Sequence, residues 1–118
     1  MKIYIAIFAL VIGGAFLVGF LNRFNPETSS LDTFAQCLAE KGAVMYGAEW
    51  CPHCQNEKKA FGKAFQFVPY VECPEDPQKC ILAGIQGYPT WVFPDGRKFE
   101  GEQGIEKLSQ VSGCPTGQ

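Results

Sequence analysis

The chain has 118 residues, of which 47% are hydrophobic, and its formal net charge at pH 7 is −2. It contains no run of Lys and Arg that could neutralise a phosphate backbone, so nucleic acid is excluded as an expected partner. The residues that follow the apolar amino-terminal segment are enough for one compact domain and too few for two.

The amino-terminal segment is apolar. From Ile3 to Leu21 no residue is charged, and as a helix this stretch would span about 28 Å, close to the thickness of a bilayer core. A cleavable signal peptide has a shorter apolar region and ends in a small-x-small site, which this segment lacks. We therefore predict a signal-anchor with one transmembrane helix over residues 1–22, a polar linker over 23–30 and a soluble domain over 31–118.

Six cysteines lie in the predicted soluble domain. An even and dense set of cysteines in a small domain beyond a membrane anchor is typical of an oxidising compartment. This predicts a single-pass membrane protein whose amino terminus is cytoplasmic and whose domain lies outside the cytoplasm, in the periplasm or an equivalent lumen.

The domain begins with a helix and a strand. Leu31, Phe34 and Leu38 recur at helical spacing, and Gly42 marks the end of that helix. The next residues, "AVMYG" at 43–47, form a short apolar run that predicts a strand buried on both faces.

A second helix opens with the "CPHC" stretch, and Cys54, Phe61 and Phe65 share one face of it. "FVPYVEC" predicts the next strand, at an irregular or edge position because it contains Pro69. A short helix within "DPQKCILAG" follows.

Two further strands flank an Asp95-Gly96 turn, a strong hairpin signal, and a last helix ends at Gly113. This order predicts an α/β fold in which a parallel βαβ unit joins a β-hairpin, with helices on both faces of the sheet.

The stretch "EWCPHCQ" contains the candidate reactive cysteines, Cys51 and Cys54. Cys51 lies at a helix start, where unpaired amides and the helix dipole stabilise a negative charge, so it should ionise more readily than a free thiol. The thiolate is the form that attacks disulfides. Pro52 suits the first helical turn, and His53 as imidazolium would favour the thiolate and make the disulfide a stronger oxidant. Cys54 faces the apolar side one turn further on, as a resolving thiol would.

Two other interpretations of these cysteines stay open. Cys51, Cys54, Cys73 and Cys80 give C-x2-C-x18-C-x6-C, whose first two gaps fit a zinc module while the last does not. The alternative is therefore a non-catalytic zinc-binding or client-presenting module, and a CxxC pair can also be a plain structural disulfide.

"YGAEWCPHC" and "GIQGYPTWVFPDG" together resemble the thioredoxin family, roughly from Phe34 to Gly113. The resemblance implies a thioredoxin-like fold in which Pro89 follows a cis peptide bond and lies against the cysteine pair. The backbone at Tyr88 would then pair with an extended substrate segment. Trp50 is expected half-exposed beside the site as an apolar contact for clients, whereas Trp91 is expected in the core.

The Pro-His dipeptide is similar to that of DsbA, a periplasmic oxidant. "CLAEKGAVMYGAEWCPHCQNEKKAFG" and "VPYVEC" resemble in particular the thioredoxin-like domain associated with bacterial and plant homologues of vitamin K epoxide reductase. This implies a thiol-disulfide oxidoreductase that works without a cofactor or metal of its own. It would exchange dithiols with cysteine-containing client proteins and with a separate, quinone-linked membrane partner. His53 favours the oxidising direction, while reduction or isomerisation of clients stays open.

Two positions depart from the thioredoxin pattern. Thioredoxins bury an acidic residue where this chain has Met45, and Tyr70 replaces the lysine that pairs with that acid. Proton transfer at Cys54 therefore needs another route, such as Glu49 or water, although a solvated loop charge is the simpler interpretation of Glu49.

The remaining cysteines are expected to be structural. Cys73 and Cys80 bracket a short loop that a disulfide could close. Cys37 is either a buried thiol or the partner of Cys114. Four cysteines allow three pairings, and the sequence does not choose between them.

Overall fold

The computed structural model describes residues 30–117. The predicted transmembrane helix and nearly all of the predicted linker therefore lie outside the described residues. Within the described part, no helix is long and apolar enough to cross a membrane.

Four α-helices and four strands are present in the described part of the chain. The helices are α1 (Ser30–Glu40), α2 (Pro52–Phe61), α3 (Pro77–Leu82) and α4 (Gly104–Ser112). The strands are β1 (Val44–Gly47), β2 (Tyr70–Glu72), β3 (Thr90–Val92) and β4 (Lys98–Glu100).

The strands form one mixed sheet in the order β2-β1-β3-β4. β1 and β2 run parallel with α2 between them, while β3 is antiparallel to both β1 and β4. The predicted βαβ unit and β-hairpin are thus confirmed, and together with the helices they make a thioredoxin-like α/β fold. The hairpin turn is fixed by Asp95, whose carboxylate accepts from the Arg97 amide at 3.0 Å, and by Gly96, whose φ is +91°.

β2 is an edge strand, as Pro69 indicated. Pro69 has no N–H to donate, but its carbonyl accepts from the amide of Met45 at 2.9 Å and so extends the pairing with β1. β1 alternates between half-buried and buried residues, with Met45 and Gly47 buried on one face and Val44 and Tyr46 half-buried on the other. The expectation of a strand buried on both faces is therefore wrong.

The core is built on one face of the sheet. Met45, Trp91 and Phe99 are register partners across β1, β3 and β4, and Trp91 is fully buried, as expected. The ring of Phe61 on α2 lies 6.0 Å from that of Trp91 and 5.8 Å from that of Phe34 on α1. Phe61 therefore joins the sheet to both helices.

The second helix is shorter than predicted. It ends at Phe61 because Gly62, with φ of +59°, turns the chain out of the helical path, and a 3₁₀ helix (Gly62–Phe67) follows. Phe65 lies in this 3₁₀ helix, where its ring still packs 5.9 Å from that of Phe61.

Two disulfides tie the periphery to the core. Cys37 on α1 is bonded to Cys114, beyond the end of α4, and Cys73 at the end of β2 is bonded to Cys80 on α3. The first resolves the pairing that the sequence left open. The other two cysteines, Cys51 and Cys54, are free thiols.

Candidate dithiol active site

Cys51 occupies the junction between β1 and α2. It is the N-cap residue of α2, and Pro52 follows as the first helical residue, where its missing N–H leaves no donor unsatisfied. The amide of Cys54 donates to the Cys51 sulfur at 3.3 Å. An amide directed at the sulfur from a helix start stabilises negative charge on it, as the sequence position predicts.

Cys54 is more deeply enclosed than Cys51. It is fully buried, whereas Cys51 retains 5% exposure. Burial, followed by the hydrogen bond to the Cys51 side chain, raises the pKa of Cys54 to about 12, although the charge of Lys58 acts in the opposite direction. Cys54 is therefore protonated at neutral pH and needs a proton acceptor before it can act as a nucleophile.

The loop before β3 borders the Cys51 sulfur. The Tyr88–Pro89 peptide bond is cis, and the Cys51 thiol donates to the Tyr88 carbonyl at 3.6 Å. The ring of Trp50 packs edge-on against that of Tyr88, at 6.0 Å, and Trp50 is 68% exposed, more than the half expected. Tyr88 and Trp50 thus frame the accessible side of Cys51.

His53 has a carboxylate partner that its spacing along the chain does not indicate. Its Nδ1 lies 2.5 Å from Oε1 of Glu102, and Asn56 donates to the same oxygen at 3.0 Å. Hydrogen bonds from Asn56 and then His53 hold the pKa of Glu102 below its usual value. The imidazole is exposed, and a positive charge on it would be paired with the Glu102 carboxylate.

A buried carboxylate, Glu57, was also missed. It is 1% exposed and accepts from the Trp91 indole at 3.2 Å and from the amides of Gln103 and Gly104 at 2.7 and 2.8 Å. Glu57 thereby joins α2 to β3 and caps the start of α4. The signal in the sequence was its helical spacing between Cys54 and Phe61, which puts a charge on the apolar face.

The two positions that depart from the thioredoxin pattern are neighbours on adjacent strands. Met45 and Tyr70 are register partners on β1 and β2, and Met45 is fully buried. The Tyr70 hydroxyl donates to Glu72 at 2.6 Å, and Glu72 also accepts from the amide of Glu49 at 2.7 Å. The side chain of Glu49 itself is exposed, in agreement with a solvated loop charge.

The structure contradicts the interpretation of four cysteines as a zinc site. It required Cys73 and Cys80 as thiolates beside Cys51 and Cys54, but Cys73 and Cys80 are joined to each other. Within residues 30–117, no cluster of three or more His, Cys, Asp and Glu side chains is arranged to hold a metal ion.

Fold and site together define a thioredoxin-like domain with a buried dithiol at a helix start. No family model matches the chain. It is 37% identical to the thiol-disulfide oxidoreductase LTO1 of Arabidopsis thaliana, over 79% of this chain and 28% of that protein. It is 29% identical to a thioredoxin domain-containing protein 5 homolog of Drosophila melanogaster, over 65% of this chain and 22% of that protein.

The chain thus spans about a quarter of the length of these curated relatives, 28% and 22%. Among solved structures, it is similar to the thioredoxin of Fasciola hepatica, with 22% identity and a TM-score of 0.47, over 62% of this chain and 79% of that one.

Proposed function

We propose that the chain is a thiol-disulfide oxidoreductase whose reacting groups are Cys51 and Cys54. The observation that carries the proposal is the hydrogen bond from the Cys54 amide to the Cys51 sulfur at the start of α2, together with the contact of that sulfur with the Tyr88 carbonyl. The similarity to the Arabidopsis relative, a thiol-disulfide oxidoreductase, supports the same chemistry.

The reaction is a pair of sulfur exchanges. In the oxidising direction a client thiolate attacks Cys51 of the Cys51–Cys54 disulfide, and Cys54 leaves as a thiolate and takes up a proton. A second client thiolate then attacks the client sulfur of the mixed disulfide, so that the client disulfide forms and Cys51 leaves reduced. In the reducing direction Cys51 attacks the client disulfide and Cys54 resolves the intermediate.

We favour the oxidising direction because the Cys54 amide stabilises the Cys51 thiolate, hence the reduced form. An imidazolium at His53 would add to this, although the Glu102 carboxylate offsets part of its charge. Regeneration of the disulfide would then fall to a quinone-linked membrane protein of the vitamin K epoxide reductase type. A measured reduction potential near that of thioredoxin, about −270 mV, would contradict the oxidising direction.

Client binding is assigned to Trp50 and Tyr88, with Pro89 shaping the loop. An exposed indole beside a backbone carbonyl suits an extended, partly apolar client segment. The carbonyl of Tyr88 would accept a hydrogen bond from the client backbone once Cys51 has entered the mixed disulfide and no longer donates to it.

Membrane anchoring through residues 3–21, with the domain outside the cytoplasm, belongs to the same proposal. The two disulfides, Cys37–Cys114 and Cys73–Cys80, support an oxidising compartment. Release of the protein from membranes by alkaline carbonate would contradict the anchor.

The central test is a trapping experiment with Cys54→Ala in native membranes. Without the resolving thiol, Cys51 should accumulate mixed disulfides with clients, seen as dithiothreitol-sensitive adducts that mass spectrometry can identify. Cys51→Ala is the matched control and should trap none. A Cys54→Ala protein that also traps none would show that the chain presents clients without turnover.

A further inference from the structure

The buried thiol of Cys54 must lose or gain a proton in every catalytic cycle, in either direction of the proposed function. Cys54 is fully buried, so bulk water does not reach its sulfur directly. The acid that thioredoxins place nearby is replaced by Met45, which has no group to accept a proton. A different acceptor has to be found among the polar groups on this face of the sheet.

Gly47 brings the Cys54 sulfur close to a phenol. A β-carbon added at Gly47 would lie 2.9 Å from Cys54 Sγ, 3.2 Å from Tyr70 Cε2 and 3.3 Å from Tyr70 Oη. The thiol and the hydroxyl therefore border the same small space, which stays open only because Gly47 has no side chain. Gly47 has no positive φ, so steric room is the reason that a glycine suits this position.

The phenol is in turn connected to a carboxylate. Tyr70 Oη donates to Glu72 Oε2 at 2.6 Å. Gly47 and Glu72 are register partners, and Tyr70 and Glu72, two residues apart on β2, lie on the same face of the β1–β2 pair. Glu72 is half-buried and its other oxygen accepts from the amide of Glu49 at 2.7 Å, which fixes the carboxylate in place and leaves it in contact with solvent.

The Lys58 ammonium lies next to the Tyr70 ring. The ammonium of Lys58, one turn beyond Cys54 on α2, lies 4.0 Å from the centroid of the Tyr70 ring. Its charge favours the Cys54 thiolate, while burial and Glu72 raise the pKa of Tyr70. The phenol thus stays neutral and passes a proton on without holding a charge itself.

Two other carboxylates near the site, those of Glu57 and Glu102, have hydrogen-bond partners other than Tyr70 and the cysteine pair. Both oxygens of Glu57 accept N–H bonds from Trp91, Gln103 and Gly104. The side chain of Glu102 is engaged by His53 and Asn56 on the exposed side of α2.

We propose that Tyr70 and Glu72 form a proton relay for Cys54, an inference that rests on the proposed function and deepens it. During resolution, the Cys54 proton passes to Tyr70 Oη, directly or through one water molecule, as the Tyr70 proton passes to Glu72. The Cys54 thiolate attacks Cys51, the client leaves as a thiolate, and Glu72 releases its proton to solvent. In client oxidation the same steps run in reverse and protonate the departing Cys54.

The test follows the two thiols separately with 5,5′-dithiobis(2-nitrobenzoate) and the full reduced chain in stopped flow. Attack by Cys51 releases the first thionitrobenzoate, and resolution by Cys54 releases the second. Tyr70→Phe and Glu72→Gln should slow the second release at least about tenfold near neutral pH, since positioned acid-base groups contribute roughly 10²- to 10⁴-fold. The first release should be unchanged.

The matched controls keep the same chemical changes away from the relay. Tyr46→Phe alters a tyrosine on the opposite face of β1, and Glu75→Gln removes the same charge at an exposed position beyond β2. Both should resolve at the rate of the unmodified protein. In the relay variants the second release should also rise about tenfold per pH unit, because hydroxide replaces the lost base.

Three outcomes would overturn the relay. The first is a normal second release in both relay variants. The second is a slowed release with the pH dependence of the unmodified protein, which would mark a purely structural effect. The third, which requires no variant, is the absence of a solvent deuterium isotope effect on the second release of the unmodified protein. If that protein gives no second release at all, the proposed function fails as well.

Discussion

Cys54 illustrates at the residue scale how position along a helix and enclosure by the fold act on the same group. Its place one turn into α2 made it the expected resolving thiol, but only the fold buries it completely. Enclosure favours the neutral thiol, and the pKa of about 12 follows from that. Because the pKa of Cys54 differs between the folded and the unfolded protein, the free energy of unfolding depends on pH.

In the reduced protein we expect stability to fall as pH rises from about 9 toward 12, because unfolded Cys54 ionises near 9.0 and folded Cys54 only near 12. The folded state then binds the additional proton, so rising pH favours the unfolded state. The urea midpoint of unfolding should fall more between about pH 8 and about pH 10.5 for the reduced unmodified protein than for Cys54→Ala. Equal declines would contradict the assignment.

At the scale of elements, Glu57 connects three of them through one buried carboxylate. Its oxygens accept from Trp91 on β3 and from the first amides of α4, while its backbone belongs to α2. Since unpaired amides at a helix start must find acceptors, α4 depends on this side chain rather than on a cap of its own. The same contact fixes α4 relative to the helix that carries the two thiols.

Glu57→Gln should destabilise the protein by about 2–3 kcal/mol, because the amide group replaces an acceptor with a donor and leaves buried N–H groups unpaired. Chemical denaturation measures this. Glu106→Gln makes the same change at an exposed position in the first turn of α4 and should cost less than about 1 kcal/mol. Similar losses in the two variants would show that the buried bonds contribute little.

At the scale of the whole molecule, the disulfides differ in how much chain they close. Cys37 and Cys114 are 77 positions apart, so their bond encloses the whole sheet, whereas Cys73 and Cys80 are 7 apart. Closing a longer loop removes more conformational entropy from the unfolded chain. The first bond therefore acts on global stability and the second on the junction of β2 and α3.

Replacing both Cys37 and Cys114 by Ala should lower the free energy of unfolding by about 4–5 kcal/mol, and replacing both Cys73 and Cys80 by about 2–3 kcal/mol. Each double variant is the control for the other, since both remove one disulfide and leave Cys51 and Cys54 intact. Urea unfolding under non-reducing conditions measures the difference. The reverse order would contradict the loop-entropy argument.

The elements could be predicted because their signals are local. The Asp95-Gly96 turn, the Pro69 edge strand and the helix opening at Cys51 each depend on a few adjacent residues. The length of α2 was misjudged because the apolar spacing continues through Phe65, while the backbone leaves the helix at Gly62.

By itself the sequence determined the order of helices and strands, the dithiol at a helix start and the hairpin, because these follow from periodicity, caps and turn residues. Only the tertiary structure decided that Cys37 pairs with Cys114, that Glu102 faces His53, and that Tyr70 and Glu72 lie beside Cys54. These contacts join residues from different elements, and the packing of the sheet and helices sets their distances. Spacing along the chain does not contain that information.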